Sequence, residues 1–350
     1  MGKQDVGDLE KIRVGIEHWL NDKFPERPGL RIADLNFPVA SGESSVTLLL
    51  DGVWPDESTS RFVLRMAPPS SQVFEHHDLF MQYQMMSLMN KEGIPAPTLI
   101  GYESDTSALG EDFYVMGFTE GRIPPDNPPF SIMGWVKDDL CDDDRRRMWD
   151  NGLDTLAKIH CIDIESHDLS RLPRAAPGES LLAQEVRTFD SMFKPKLRET
   201  IDPRVLEGWE VLLSSVPGDG QVGLCWGDSR VGNVIFGDLA PIAIIDWEMA
   251  NISDPLTDLA WWVWIDKCNS EGLGVPRLGG LPEPAEIYGR WHELTGRSIE
   301  KIAWFELFCV VRYAIVLELK FIAMRATNPD MGIPPNFAAD FIPDLISAAR

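Results

Sequence analysis

The chain has 350 residues, of which 44% are hydrophobic and 25% charged, as expected for a globular protein with one two-lobed domain or two domains. Its formal net charge of −23 disfavours nucleic acid as a partner, because binding to phosphates requires a basic surface. An acidic surface suits a cationic substrate such as an amine, although acidity that only maintains solubility explains the charge equally well.

The first part of the chain alternates between apolar helical periodicity and short β-forming runs. A helix is predicted at 8–23, where Leu9, Ile12, Ile16 and Leu20 recur on one face. Strands are predicted at 30–38, 45–51, 61–66, 98–102 and 112–118, with a second helix at 74–90. The predicted order after the first helix is therefore β-β-β-α-β-β.

From about residue 119 the pattern is mainly helical and contains one β-hairpin. Val234–Phe236 and Ile242–Ile245 are short apolar strands, and Gly237-Asp238 opens the turn between them. Ile302–Met324 is apolar but contains several charged residues, which indicates a long core helix rather than a membrane span.

The hairpin carries side chains that suit a hard cation. Asn233 immediately precedes its first strand and Asp246 follows its second, and the ends of antiparallel partners are neighbours. Amide and carboxylate oxygens are ligands that Mg²⁺ prefers. Asp228 precedes Asn233 with the Asp-x-x-x-x-Asn spacing of a kinase catalytic loop. The alternative is a purely structural hairpin, since Asp and Asn beside Gly are common in turns.

Several motifs together resemble those of the aminoglycoside phosphotransferase and choline kinase superfamily. They are Trp226-Gly227-Asp228, Asn233, Ile245-Asp246-Trp247-Glu248, Asp254-Pro255 and Asp258-Leu259-Ala260. Their wording is most similar to actinobacterial phosphotransferase enzyme family proteins and to the kinase-like domain joined to some acyl-CoA dehydrogenases. The resemblance implies an α+β, bilobal protein-kinase-like fold. Its small β-rich lobe would span residues 1–118 and bind nucleotide, and its larger helical lobe, 119–350, would carry catalysis and substrate binding.

The resemblance also assigns nucleotide-binding positions. Its phosphate loop falls on a turn between two predicted strands, at Ser41, Gly42, Ser44 and Ser45. Backbone N–H groups and hydroxyls in such a turn can hold phosphates, although Ser/Gly turns are usually plain hairpins. Arg65 stands where kinases place a lysine, and guanidinium also binds phosphate oxygens. Met116 and Phe118 correspond to the hinge that would bind adenine.

The catalytic loop adds one further candidate. Arg230 follows Asp228 by two residues, where kinase loops often carry a cation that contacts the transferred phosphate. It could equally pair with Glu248 or another nearby carboxylate. By resemblance, Asp258 would hold the loop backbone and His160 would be structural.

Two departures from the family pattern favour a second interpretation. Trp226 replaces the usual histidine, and the glutamate expected on the helix after Arg65 is not evident, since Gln82 or Gln84 could bond to Arg65 but neither supplies a charge. These departures leave open a catalytically weak or inactive nucleotide-binding protein. A protein kinase is disfavoured because neither His-Arg-Asp nor Asp-Phe-Gly is present.

The expected activity is transfer of the γ-phosphoryl group of ATP, with Mg²⁺, to a hydroxyl of a small molecule. Asp228 would accept the hydroxyl proton. An aminoglycoside-like, amino-sugar or hydroxyacyl acceptor fits the residues and the resemblance, and no membrane or nucleic acid partner is expected. Five dispersed cysteines without a Cys-x-x-Cys pair favour free thiols in the cytoplasm, and the histidine spacing disfavours zinc. The first residues lack an apolar signal core.

Overall fold

The computed structural model describes residues 9–38, 46–67, 78–173, 179–192, 197, 200–218, 220–328, 332 and 335–349. The chain divides into two compact units. The first unit comprises Met1–Gly121 and Ile242–Glu248, and the second comprises Arg122–Pro241 and Met249–Arg350. The division predicted from the sequence, between residues 118 and 119, assigns the lobes by function and stays a prediction. No helix in the described part of the chain is long and apolar enough to cross a membrane.

Within its described residues, the first unit contains an antiparallel sheet of order β1-β2-β3-β5-β4 and two helices. Its elements are α1 (Leu9–Lys23), β1 (Arg31–Asn36), β2 (Val46–Val53), β3 (Thr59–Met66), α2 (Leu79–Lys91), β4 (Leu99–Glu103) and β5 (Phe113–Gly117). The predicted β-β-β-α-β-β order is therefore confirmed.

The alternation of buried and less buried residues along β2 explains how this sheet is covered. Leu48 and Leu50 are fully buried in a core cluster with Ile16 and Leu20 of α1, as the period of two in a strand and of 3.6 in a helix requires. Trp19 packs edge-to-face on Phe113, with ring centroids 5.2 Å apart. Because β3 and β5 are neighbours, Arg65 is directly opposite Tyr114.

The second unit is mainly helical. Its helices are α3 (Trp135–Asp138), α4 (Asp142–His160), α5 (Leu181–Met192), α6 (Pro203–Ser214), α7 (Leu256–Cys268), α8 (Pro284–Thr295), α9 (Ile302–Thr327) and α10 (Ile342–Ala349). Helix α7 packs against α9 and is buried almost all round, in agreement with the apolar run Leu259–Ile265 at its centre.

Two short strands of the second unit bring separate segments together. Strand β6 (Gly223–Cys225) pairs antiparallel with β9 (Asn251–Ser253), so that Leu224 is opposite Ile252. The loop that follows β6 therefore begins beside the segment that leads into α7.

Strands β7 (Val234–Gly237) and β8 (Ala240–Ile244) form the predicted hairpin. Its turn places Asp238 and Leu239 at φ 52° and 67°, as a two-residue type I′ turn requires.

Candidate active site

The predicted phosphate loop comprises Ser41, Gly42, Ser44 and Ser45. All four lie outside the described residues, so their role stays a prediction.

Arg65 is a largely buried cation in the first unit. It lies on β3, its side chain is 14% exposed, and its Nη1 donates to the hydroxyl of Thr47 at 3.1 Å. Its Nη2 lies 3.7 Å from Oδ1 of Asp246, which also belongs to the first unit. Burial alone would lower the pKa of this guanidinium, but Tyr114, Asp246 and Glu248 raise it. Arg65 is therefore a permanent positive charge, and its Nε has no hydrogen-bond partner among the described residues.

Between Leu79 and Lys91, the described range of α2, no residue carries a carboxylate. Gln82 of α2 is buried, and its Oε1 accepts a hydrogen bond at 3.3 Å from the hydroxyl of Tyr114, the residue opposite Arg65. The negative charges that act on Arg65 come instead from Asp246 and Glu248. The segment after β8 thus provides the counter-charge that kinase-like proteins are expected to take from the helix.

Asp246 has an unusual backbone conformation. Its φ is 63°, in the left-handed region that residues other than glycine rarely adopt. Such a conformation costs about 1–3 kcal/mol and is found most often at functional sites. The observation supports a functional role for this residue.

The predicted adenine hinge is already hydrogen-bonded within the first unit. Met116 pairs with Val63 in the sheet, and the N–H of Phe118 donates to the carbonyl oxygen of Arg61 at 3.0 Å. The Phe118 ring also lies 3.8 Å from the Arg61 guanidinium. Binding of adenine by Met116 and Phe118 stays a prediction, and the Phe118 N–H is not available to it in this conformation.

Asp228 of the second unit is held by three side-chain donors. Its Oδ2 accepts from Nε of Arg230 at 2.9 Å and from Nδ2 of Asn233 at 2.7 Å, and its Oδ1 accepts from the indole N–H of Trp261 at 2.7 Å. Burial alone would raise the pKa of this carboxyl, but the charge of Arg230 and the three hydrogen bonds outweigh it and lower the pKa. Asp228 is therefore an ionised, oriented carboxylate near neutral pH.

Arg230 bridges two carboxylates. In addition to Asp228, it forms an ion pair through Nη1 with Asp126, which lies in the Pro-rich segment after residue 122. The sequence left open whether Arg230 contacts the transferred phosphate or pairs with a nearby carboxylate. In this conformation it pairs with carboxylates, namely those of Asp126 and Asp228. A small pocket beside Arg230 is lined by Asp126 and by the polar residues Ser131 and Asn269, among others. The sequence did not point to Asp126, because nothing local links it to the catalytic loop.

Asn233 is buried beside Asp228. Its Nδ2 donates both to the carboxylate and to the main-chain carbonyl of Asp228, at 3.0 Å for the latter, so its amide oxygen is the atom suited to a hard cation. No cluster of three or more His, Cys, Asp or Glu side chains capable of caging a metal occurs in the described ranges. The assignment of Asn233 and Asp246 as ligands of Mg²⁺, which usually keeps waters and binds substrate phosphates as further ligands, stays a prediction.

The side chain of Asp258 binds the backbone of the predicted catalytic loop, as the resemblance implies. The main-chain N–H groups of Trp226 and Gly227 donate to this buried carboxylate at 2.6 and 2.9 Å. His160 is fully buried 3.1 Å from the same carboxylate, and the indole of Trp291 donates to its Nδ1 at 2.9 Å. His160 therefore carries its proton on Nε2, toward Asp258, which agrees with the predicted structural role.

Trp261 lies in the buried helix α7, and sequence reasoning did not identify its hydrogen bond to Asp228. The sequence could not show that its indole N–H reaches a carboxylate from a different segment. In the sequence, Trp261 is recognisable as an aromatic residue with a polar N–H that follows closely after Asp258. Residues of this kind also occupy ordinary core positions.

The sequence is similar to that of characterised families over most of its length. A profile described as "Phosphotransferase enzyme family" matches residues 38–297. Human acyl-CoA dehydrogenase family member 11 is 30% identical over 281 residues, which cover 76% of this chain and 34% of that protein. The Gallus gallus protein of the same name is 26% identical over 258 residues, covering 72% of this chain and 31% of the relative. The chain thus spans about a third of the length of these relatives.

Solved structures show the same fold at low sequence identity. A candidate aminoglycoside phosphotransferase from Ralstonia eutropha superposes with a TM-score of 0.69 at 18% identity, covering 98% of this chain and 97% of the other. A choline kinase from Streptococcus pneumoniae gives 0.57 at 13%, covering 95% and 99%. Spectinomycin phosphotransferase, solved with ADP and spectinomycin, gives 0.58 at 14%, covering 94% and 98%. With a β-sheet N-terminal region, a helical C-terminal region and a profile match over most of its length, the chain belongs to the phosphotransferase enzyme family.

Proposed function

We propose that this protein transfers the γ-phosphoryl group of ATP to a hydroxyl group of a small molecule, with Mg²⁺ as the required cation. The observation that carries the proposal is the carboxylate of Asp228, which is ionised, largely buried and oriented by three donors. A general base needs such a fixed carboxylate at the point where a hydroxyl approaches. Membership of the phosphotransferase family supports the same reaction class.

The candidate side chains would have different roles in phosphoryl transfer. Asp228 would orient the acceptor hydroxyl and accept its proton as the new O–P bond forms. Asn233 and Asp246 would hold Mg²⁺, which when bound neutralises charge on the phosphates. Arg65 and Arg230 are the cations suited to phosphate oxygens, because guanidinium binds them with two parallel hydrogen bonds. Arg230 would exchange at least one of its carboxylate partners for phosphate.

The nucleotide would be bound by a separate group of residues in the first unit. The proposal keeps the phosphate loop and the adenine hinge assigned by resemblance: Ser41, Gly42, Ser44, Ser45, Met116 and Phe118. The solved spectinomycin phosphotransferase contains ADP, which favours an adenine nucleotide for this chain as well.

Two kinds of acceptor fit the observations. The net charge of −23 favours a cationic molecule, such as an aminoglycoside or another amino-sugar, and spectinomycin and choline kinases share the fold. The acyl-CoA dehydrogenase relatives favour a hydroxyacyl compound instead. A panel that pairs amino-alcohols with hydroxyacyl thioesters, scored by phosphate transfer, separates the two.

Replacing Asp228 by Asn tests the assignment of the base. Turnover should fall by about 100-fold or more, since general bases contribute about 10²–10⁴-fold, while calorimetric binding of an ATP analogue persists. Asp238→Asn is a matched control, because it makes the same chemical change in the exposed hairpin turn. Wild-type turnover in the Asp228→Asn variant would contradict the proposal.

The second candidate is a catalytically weak or inactive nucleotide-binding protein. It is favoured by Trp226 in place of histidine and by the absence of a carboxylate between Leu79 and Lys91 of α2. Mg²⁺-dependent hydrolysis of ATP, or transfer to any alcohol of the panel, distinguishes the enzyme from this alternative. The five free cysteines fit a reducing environment, and we propose a cytoplasmic location.

A further inference from the structure

The indole of Trp261 touches the proposed catalytic base directly. Its Nε1 donates to Oδ1 of Asp228 at 2.7 Å, while Arg230 and Asn233 both bind the other carboxylate oxygen. The rotation of the carboxylate about its own axis is therefore fixed from both sides. Without the indole, Oδ1 would have no side-chain donor among the described residues.

A buried cation lies on the face of the same indole. The guanidinium carbon of Arg312, on α9, is 4.8 Å from the centroid of the Trp261 ring, and the residue is 1% exposed. Its Nη1 donates to Oε1 of Glu185 at 2.8 Å, and Glu185 also accepts from the hydroxyl of Ser253 at 2.9 Å. A continuous set of contacts thus runs from α5 through Arg312 and Trp261 to Asp228.

The arrangement has two physical consequences. A cation over an indole face is held there by the ring quadrupole, and the attraction is strongest when both groups are desolvated. The same cation withdraws electron density from the ring, so the indole N–H becomes a better hydrogen-bond donor. Arg312 therefore fixes the plane of Trp261 and strengthens its hydrogen bond to the carboxylate.

Other tryptophans of the second unit show that this hydrogen bond is not a general requirement of burial. Among the described residues, the buried indole nitrogens of Trp149, Trp262 and Trp304 have no hydrogen-bond partner. The core therefore accommodates indole rings whose N–H groups have no hydrogen-bond acceptor among the described residues. Trp261 differs because its N–H is directed at the carboxylate that the reaction would use.

We propose that Trp261 is a positioning residue for Asp228, and that Arg312 acts on Asp228 through the indole. This proposal rests on the function proposed above, with Asp228 as the base. Because Oδ2 already accepts two hydrogen bonds, Trp261 orients the carboxylate so that the remaining lone pair of Oδ1 faces the incoming hydroxyl. Arg312 keeps the ring in the plane that this orientation requires.

Trp261→Phe removes the N–H while it keeps an aromatic ring under Arg312. We expect kcat to fall about 10- to 100-fold with little change in the KM for ATP, because a displacement of about 1 Å can cost about 100-fold. Trp264→Phe is the matched control. Trp264 lies on the same helix, donates to Glu306 at 3.1 Å and has Lys267 over its ring, but it lies outside the proposed catalytic groups.

A second measurement is independent of turnover. In a ¹H–¹⁵N spectrum, the indole resonance lost in Trp261→Phe identifies the Trp261 N–H, and Asp228→Asn should shift that resonance upfield. Arg312→Lys retains a charge for Glu185 but loses the planar group over the ring. It should shift the resonance in the same direction and lower kcat less than Trp261→Phe does.

The outcomes separate this proposal from the function on which it rests. An active wild type whose kcat is equally retained in Trp261→Phe and Trp264→Phe overturns the positioning role alone. If the chemical shift of the Trp261 indole resonance is unchanged in both Asp228→Asn and Arg312→Lys, the proposed contacts are overturned. A folded wild type that transfers phosphate to no acceptor overturns the proposed function, and the positioning role with it.

Discussion

Gly227, the residue before the proposed base, should not tolerate a side chain. Its φ is 92°, and a Cβ built there would lie 2.1 Å from the carbonyl oxygen of Met249 and 2.5 Å from its carbonyl carbon. The obstacle is backbone, so no rotamer change can remove it. Gly227→Ala must therefore displace the loop that carries Asp228, whose neighbouring N–H groups are bound by Asp258.

Two costs contribute to the expected loss of stability. A residue other than glycine at this φ is strained by about 1–3 kcal/mol. Overpacking of a closely packed site adds about 1–3 kcal/mol. The sum, about 2–6 kcal/mol, is a large part of the 5–15 kcal/mol that typically separates folded from unfolded protein, so Gly227→Ala should be strongly destabilised.

Gly93→Ala isolates the two costs from each other. Gly93 has a φ of 71°, and a Cβ there would meet nothing within 4 Å, so that variant carries the backbone strain without the clash. Urea unfolding of both variants should show a larger loss for Gly227→Ala, by about 1–3 kcal/mol. Phosphate transfer should fall in Gly227→Ala and persist in Gly93→Ala. Equal loss of stability in the two variants would refute the argument from the Met249 backbone.

Three further changes test the second unit. Asp258→Ala removes the acceptor for two backbone N–H groups. Since each hydrogen bond to a charged group contributes about 1.5–3 kcal/mol, the variant should lower the free energy of unfolding measured in urea by about 3–6 kcal/mol. Arg277→Met leaves its buried partner Asp266, 2.7 Å away, without a counter-charge and should cost about 3–5 kcal/mol, most of which is recovered in the double variant with Asp266→Asn. A thiol reagent should modify exposed Cys141 and Cys161 in the native protein, and the three buried cysteines only after denaturation, as counted by mass spectrometry.

The small sheet was predictable because its local patterns agree with its tertiary structure. Along β2 every second residue is buried, so the period of two in a strand assigns the residues of this β-forming run that face the core. The predicted strand at 61–66 begins two residues late, because Thr59 and Ser60 are polar and yet pair in register with Val53 and Gly52. Pairing through the backbone does not depend on side-chain polarity, and strand ends are therefore hard to place from sequence.

The contacts of the site were less predictable than its residues. Asp228 and Asn233 are recognised from the spacing between them, and Asp258 from the family resemblance. Asp126 and Trp261 contribute through chain reversals that no local pattern encodes. Gln82, one of the two residues that could bond to Arg65, accepts a hydrogen bond from Tyr114 instead, and the negative charges that act on Arg65 follow β8.

The replacement of the family histidine by Trp226 illustrates how such a loop can change its sequence and keep its geometry. The contact that residue 226 makes with Asp258 uses its main-chain N–H, which any residue except proline can supply. The neighbouring N–H comes from Gly227, which has to be glycine because of its φ and its distance from Met249. Constraint on the loop thus falls on the backbone conformation at 227 rather than on the side chain at 226. A change from histidine to tryptophan is therefore compatible with a catalytic loop held in place by Asp258, and it is weak evidence for an inactive protein.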